Sequence, residues 1–445
     1  MATDENKRHQ QQHTVSLADK IAHRNAQVAV LGLGYVGLPM SVHLAEAGFN
    51  VVGIDIDSRR VEAIKRGELP TSDVTGERVT KVAENGLFSP TDDTSAIGSA
   101  DIVLICVPTP VNKSKEPDLT CIRSATDAIA SHLRQGQLII LESTTYPGTT
   151  EEIILPRLEQ TGMRVGRDFY LAFSPERLDP GNRRFALREI PKVVGGITED
   201  CAAVASLFYQ QMTDKVVRVS SATTAEMVKI YENVFRNINI AFANEVALLC
   251  DRMGLDVWEV IEAAATKPYG FMPFCPGPGL GGHCIPIDPY YLAWKARQYD
   301  FHVRFIELAA SINDSMPYYV LTKISHALNK ARKSLNGSQI LLLGVTYKRD
   351  VADTRESPAF KIIDLLVESD ANVRYADPYI PELHTPAGHR LRSEVVDAQL
   401  LREIDCAVIV TDHTNSDYSA LIRSGKPVVD TRNAVKHESP LIVRL

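Results

Sequence analysis

Cys284 lies in the segment GPGLGGHC, which sets four glycines in eight residues just ahead of a thiol. A backbone so free of side chains can curl its N–H groups around an anion. A thiol held in that partial positive field ionises more readily, and a thiolate is a good nucleophile toward an aldehyde carbon. On the loop alone Cys284 reads equally well as an inert buried cysteine. His283 beside it does not point to a metal, because one His and one Cys in sequence are a poor ligand pair. No pair of cysteines reads CxxC, and no metal site is expected. Asp288, four residues on, is within reach to act as a general base or to orient one. Lys229 and Asn233 stand four apart in a stretch of helical spacing, so they share a face. There the ammonium could stabilise a developing oxyanion and the amide could add a second hydrogen bond. From spacing alone the pair reads first as a solvated helix face.

A second constellation is Gly32-Leu33-Gly34-Tyr35-Val36-Gly37, a GxGxxG at a strand–helix junction. The first glycine permits the tight turn, the second lets a pyrophosphate approach the backbone, and the third lets helix and strand pack closely. The phosphates then meet free N–H groups at the helix N-terminus. Asp55 ends the next strand, 18 residues after Gly37, where a carboxylate bonds a ribose 2′-hydroxyl. That carboxylate repels a 2′-phosphate, so NAD is favoured over NADP, with Arg60 nearby the one residue that speaks for NADP. Tyr35, Val36 and Thr109, the last just beyond the apolar run at 102–108, join this cofactor set.

These residues need elements to hold them. QVAVLGLGYVG, VVGID, IVLICVP and QLIILES alternate with helical stretches, the pattern of a parallel doubly wound sheet. From Thr223 to Met253 there is neither Gly nor Pro, and apolar residues recur at three and four spacing, with Gly254 as the stop. Such a helix spans roughly 45 Å, long enough to separate two domains and to serve as a dimer interface. The Gly/Pro-rich stretch with Cys284 follows. Alternation resumes at Gln339 with SQILLLGVTYK, NVRYADP, CAVIVTD and KPVVD. The expected fold is therefore α/β: an N-terminal Rossmann domain over 26–215, a central long-helix domain over 216–335 and a C-terminal Rossmann-like domain over 336–445.

Composition excludes several classes. The 445 residues are too many for one core. A formal net charge of −7 gives no argument for nucleic acid or for an anionic membrane as a partner. No apolar run approaches membrane length, and the polar start, MATDENKRHQQQH, has no signal-peptide character. Residues 1–25 read as a disordered tail. Seven cysteines without regular spacing argue against a disulfide framework and for the cytoplasm.

Taken together, GLGYVGLP, the helix with Lys229 and Asn233, and GPGLGGHCIPIDP resemble the UDP-glucose/GDP-mannose dehydrogenase family over about residues 26–440. The resemblance implies an NAD-binding Rossmann domain, a central helical dimerisation domain and a C-terminal UDP-sugar-binding domain. It implies Cys284 as the catalytic cysteine, with Lys229, Asn233 and Asp288 as its partners. It implies Thr144, in ESTTYPGT, as a residue positioning water and Glu176, in FSPER, as acid/base. Lys348 and Arg355, in TYKRDVADTRES, are implied on the substrate side and at the cofactor respectively. Gly281 and Gly282 fall in the loop that wraps the sugar phosphate. Two positions depart from the family pattern: Pro180 stands where a second glutamate is usual, and Tyr269 where an arginine crosses the dimer. SPER, ATKPYGF and GGHCIPIDPYYLAWKARQ resemble the subgroup acting on UDP-N-acetylhexosamines in bacterial surface-polysaccharide pathways such as O-antigen and lipopolysaccharide, with Arg177 on the substrate side.

The activity so implied is a four-electron oxidation of a sugar C6 hydroxyl to the uronate, through a thiohemiacetal and a thioester on Cys284. UDP-N-acetylglucosamine leads as substrate, ahead of the N-acetylmannosamine, N-acetylgalactosamine and glucose nucleotides, and a homodimer or higher homo-oligomer is expected. Two other readings stay open: a two-electron 3-hydroxyacid dehydrogenase, and an NAD-binding regulator without turnover.

Overall fold

The computed structural model describes residues 16–69, 74–112, 114–177, 185–282, 285–437 and 439–445. The first sheet is built from β1 (Gln27–Leu31), β2 (Asn50–Ile54), β3 (Phe88–Thr91), β4 (Ile102–Ile105), β5 (Leu138–Leu141), β6 (Tyr170–Phe173), β7 (Lys192–Gly196) and β8 (Val216–Arg218). Their spatial order is β3-β2-β1-β4-β5-β6-β7-β8. All neighbours run parallel except β6 and β7. Apart from Gln27, β1, β4 and β5 are apolar and buried because the sheet is covered on both faces. The sequence pattern had not signalled β3, which carries Pro90 and polar residues. It lies at the sheet edge, where a proline costs no ladder hydrogen bond.

Two boundaries differ from expectation. The proposed disordered tail ends in a helix, Leu17–Ala22, capped by the Ser16 side chain, with Ile21 fully buried and Lys20 paired to Asp101 at 2.8 Å. Six residues with one anchoring side chain are too few to show a helical period. The strand β8, placed past the first domain by the sequence reading, pairs with β7 and extends the first sheet to Arg218.

The long helix runs Ala222–Met253, capped by the Ser221 side chain and closed by Gly254 at φ +71°. It packs against a second long helix, Arg304–Lys330, which carries Pro317 in its interior. The second sheet comprises β9 (Gln339–Leu343), β10 (Asn372–Ala376), β13 (Cys406–Ile409), β14 (Val428–Asp430) and β15 (Ile442–Arg444), all parallel, in the order β10-β9-β13-β14-β15. A small hairpin, β11 (Glu382–His384) and β12 (Arg390–Arg392), lies beside it.

The two sheets repeat one turn chemistry. After β1, the Gly32 N–H donates to Ile54 O at 2.7 Å and the Leu33 N–H to Asp55 Oδ2 at 2.8 Å. After β9, the Gly344 N–H donates to Ala376 O at 3.0 Å and the Val345 N–H to Asp377 Oδ2 at 2.7 Å. The second basic partner differs: Arg60 donates to Asp55 at 2.8 Å, whereas His413 Nε2 lies 3.1 Å from Asp377.

Candidate active site

The cofactor end of the first sheet is shaped by its glycines. Gly32 has φ +91°, and a Cβ on Gly37 would sit 1.8 Å from the Gly32 carbonyl oxygen, so neither position admits a side chain. A Cβ on Gly34 would meet nothing within 4 Å, which leaves open the side from which a pyrophosphate approaches. Helix Gly37–Glu46 follows Val36 with no side-chain cap; the Leu38 N–H donates to Gly34 O at 3.2 Å and Pro39 has none, which leaves the Gly37 N–H at the turn to meet an anion. Asp55 is 4% exposed, and accepts from the Asp57 N–H at 3.0 Å in addition to Leu33 and Arg60. These donors fix the carboxylate at the position a ribose would meet, and the residues fit NAD. Arg60, which spoke for NADP, is held by that same carboxylate. The Arg355 guanidinium stacks on the Tyr35 ring 3.4 Å from its centroid and is held by Asp353, joining the second α/β unit to the GxGxxG turn. The Thr109 carbonyl accepts the Tyr291 hydroxyl, and Thr144 is half-buried just beyond β5.

The long helix gathers the remaining polar residues. Lys229 and Asn233 are buried, against the solvated-face reading of their spacing. Lys229 Nζ donates to the Glu176 carbonyl at 2.5 Å and lies 4.0 Å from Glu176 Oε2. Asn233 Nδ2 donates to Asp288 Oδ2 at 2.5 Å. Asp288 is 2% exposed, at the first position of helix Asp288–Arg297. Burial pushes its carboxyl up to about 7, with the Lys229 charge and the Asn233 bond pulling the other way. Glu176, Lys229, Asn233 and Asp288 thus form one buried group combining a cation, an amide donor and a carboxyl poised near neutrality.

Cys284 and His283 lie outside the described residues, as does Pro180. The chain on either side of Cys284 is tied down: the Gly282 N–H donates to Arg355 O at 3.0 Å, and Asn237 Nδ2 donates to Ile285 O at 3.2 Å. Gly281 and Gly282 press on Tyr347, which a Cβ on either would approach to 2.7 and 3.0 Å. Lys348 lies one residue beyond Tyr347, its carbonyl accepting Thr346 Oγ1 at 2.9 Å. Arg177 does not join the group around Lys229; it is engaged by Glu232 and by the Pro191 carbonyl. Tyr269 is 74% exposed.

Sequence reasoning passed over three residues. Asn237 and Asn244 continue the face of Asn233, and Asn244 Oδ1 accepts the Gly277 N–H at 2.9 Å, so three asparagines of one helix face hold both ends of the glycine-rich loop. Their 233, 237, 244 spacing is the signal that could have found them. The third is Arg432, just after β14, whose guanidinium faces that loop: a Cβ on Gly277 would come within 2.6 Å of Nη1. Burial, then the Arg349 charge, pushes it down to about 10, with Cys275 and Asp430 pulling the other way. No local pattern marks it. Among the described residues, no cluster of three or more His, Cys, Asp or Glu is placed to hold a metal, and no helix is long and apolar enough to cross a membrane.

Comparison with known proteins agrees with this arrangement. Three models of the UDP-glucose/GDP-mannose dehydrogenase family match: the NAD binding domain over residues 26–213, the central domain over 223–315 and the UDP binding domain over 341–437. The chain is 38% identical to a UDP-N-acetyl-D-glucosamine 6-dehydrogenase of Pseudomonas aeruginosa, covering 80% of this chain and 84% of that one. It is 37% identical to a UDP-N-acetyl-D-mannosamine dehydrogenase of Pyrococcus horikoshii, covering 92% and 96%. A solved structure of the UDP-D-ManNAc dehydrogenase from Pyrococcus horikoshii superposes with a TM-score of 0.85 at 35% identity, covering 94% and 98%. The chain therefore belongs to the UDP-glucose/GDP-mannose dehydrogenase family and is an NAD-dependent nucleotide-sugar dehydrogenase.

Proposed function

We propose that the protein oxidises the C6 hydroxyl of a UDP-N-acetylhexosamine, UDP-N-acetylglucosamine first, to the uronate, with Cys284 as covalent catalyst. The observation that carries the reading is the buried group of Glu176, Lys229, Asn233 and Asp288 beside the anchored ends of the Cys284 loop. NAD, when bound at the GxGxxG turn, supplies the hydride acceptor. Asp288, whose carboxyl sits at about 7, takes the hydroxyl proton through water. The Cys284 thiolate then adds to the C6 aldehyde, and Lys229 and Asn233 face the oxyanion of the thiohemiacetal. A second oxidation leaves a thioester, which water positioned by Thr144 and activated by Glu176 hydrolyses, freeing the thiol. One alcohol, one water and two NAD give one carboxylate, two NADH and three protons. The desolvated Arg432, with Lys348 and the Gly281–Gly282 turn, takes the diphosphate.

A UDP-N-acetylmannosamine substrate is the second reading, favoured by relatives of that name that align over 92% of this chain. The protein acts as a homodimer: Tyr231, Phe235, Phe242, Leu249 and Met253 expose an apolar stripe along the long helix. A thiol nucleophile must stay reduced, which supports the cytoplasm.

The test is NADH release with each of the four sugar nucleotides. We expect two NADH per sugar and the highest kcat/KM with UDP-N-acetylglucosamine, and Cys284→Ser should fail to complete the four-electron oxidation. One NADH per sugar, or full uronate formation by the Ser variant at the wild-type rate, overturns the scheme.

A further inference from the structure

Glu226 is fully buried on the long helix, less than one turn before Lys229, and nothing in the oxidation so far uses it. Among the described residues its carboxylate meets no cation. Oε2 accepts the Gly148 N–H at 2.5 Å, and Oε1 accepts both the Thr150 N–H at 2.9 Å and Thr150 Oγ1 at 2.6 Å. Three donors from one short loop therefore converge on one side chain. The loop leads from β5 and Thr144 into the helical segment beginning at Thr150. Two of the donors are backbone amides at the start of that segment, which have no helical acceptor of their own. Burial pushes the Glu226 carboxyl up to about 7, while the Thr150 and Gly148 bonds favour its ionised form.

The loop has a second fastening. Lys295, 5% exposed on the helix that starts at Asp288, donates to Glu152 Oε1 at 2.5 Å and lies 3.5 Å from where a Gly148 Cβ would be. Gly148 has φ +106°, and a side chain there would also strike the Glu152 carboxylate at 2.7 Å. The turn is therefore gripped between the helix that presents Lys229 and Asn233 and the helix that presents Asp288.

We propose that Glu226 is a positioning residue for the oxidation: its carboxylate locks the Thr144–Thr150 loop to the helix carrying Lys229 and Asn233, so that the loop and the amine keep one geometry. This rests on the functional reading above, in which Thr144 and Lys229 both serve the reacting carbon. A carboxylate can accept all three bonds at once, whereas an amide turns one acceptor into a donor facing the Gly148 or Thr150 N–H.

The test is a set of variants assayed with NAD and whichever sugar nucleotide the wild-type enzyme oxidises. Glu226→Gln should lower kcat by about ten- to hundredfold, the scale of a lost hydrogen bond to a charged group, with KM for the sugar nucleotide within about twofold. Thr150→Val removes one donor and leaves the carboxylate; it should lower kcat several-fold, and Thr150→Ser, which keeps the hydroxyl, should restore it. In the double variant Glu226→Gln/Thr150→Val the losses should be less than multiplicative, because both break one contact. The proposal is overturned if Thr150→Val keeps the wild-type kcat, if Ser fails to rescue, or if the loss in Glu226→Gln matches the loss of folded protein at the assay temperature. Should Glu226→Gln not fold, the Thr150 pair decides alone. A wild-type enzyme that oxidises no nucleotide sugar defeats the functional reading instead, and is seen before any variant is made.

Discussion

Asp288 is where burial has its clearest chemical consequence. Its carboxyl is moved from 3.8 to about 7, chiefly by desolvation, although Lys229 and Asn233 both favour the ionised form. A folded value above the unfolded one means that the native chain holds this proton between about pH 4 and 7 while the unfolded chain releases it. The stability gained is full below about pH 4 and is lost as pH rises to 7, at about 1.4 kcal/mol per pH unit for one such group. Activity should move the opposite way, because a base works ionised: kcat/KM should climb through about pH 7. We predict that Asp288→Asn flattens the fall in thermal midpoint between pH 5 and 7 and removes that limb of the pH–rate profile. Glu226, also raised to about 7, leaves part of the stability slope in place. A pH–rate limb that survives unchanged in the Asn variant would assign the base elsewhere.

Two helices do most of the positioning. The Gly37–Glu46 helix works through close approach to the β1 turn. Since a Cβ at Gly37 would lie 1.8 Å from the Gly32 carbonyl and 3.2 Å from Cys106 Cβ, Gly37→Ala must push helix and turn apart. The expected result is at least a tenfold rise in KM for NAD with little change in KM for the sugar nucleotide, read from initial rates. The long helix works differently: along it Glu226 meets the Gly148–Thr150 turn, Lys229 meets Glu176, and Asn233, Asn237 and Asn244 meet the two ends of the glycine-rich loop. Every one of these contacts joins residues at least 33 apart in sequence, so the helix rather than chain proximity sets the geometry.

Across the molecule, the two α/β units share one turn chemistry yet differ in what answers the acidic residue, Arg60 in the first and buried His413 in the second. Arg355 on Tyr35 ties the second α/β unit to the first, and the Tyr291 bond to Thr109 ties the Asp288–Arg297 helix to it. The long helix turns a row of aromatic and aliphatic side chains outward, with Phe242 at 62% and Tyr231 at 66% exposure. A contiguous apolar row of that size is characteristic of an interaction surface. Phe242→Asp should shift the protein toward monomer in sedimentation or light scattering, while leaving the Lys229 and Asn233 contacts in place. An unchanged mass would remove the stripe as the dimer contact.

Residue patterns were enough for whatever depends on local geometry. The GxGxxG turn with Asp55, the helix from about Thr223 to Met253 and its Gly254 stop follow from spacing, because backbone hydrogen bonding and helical period act over a few residues. Three local motifs, GLGYVGLP, the Lys229–Asn233 helix and GPGLGGHCIPIDP, are enough to mark the family. Folding alone settled which polar residues are buried together. Spacing put Lys229 and Asn233 in solvent, yet they lie against Glu176 and Asp288, 53 and 55 positions away. Glu226 and Arg432 left no local mark either, since their partners come from other elements. Strands such as β3 and β8 escape for the same reason: FSPT and VVR lack the apolar run that marks the equally short β4 and β5, and they become strands by pairing with a neighbour.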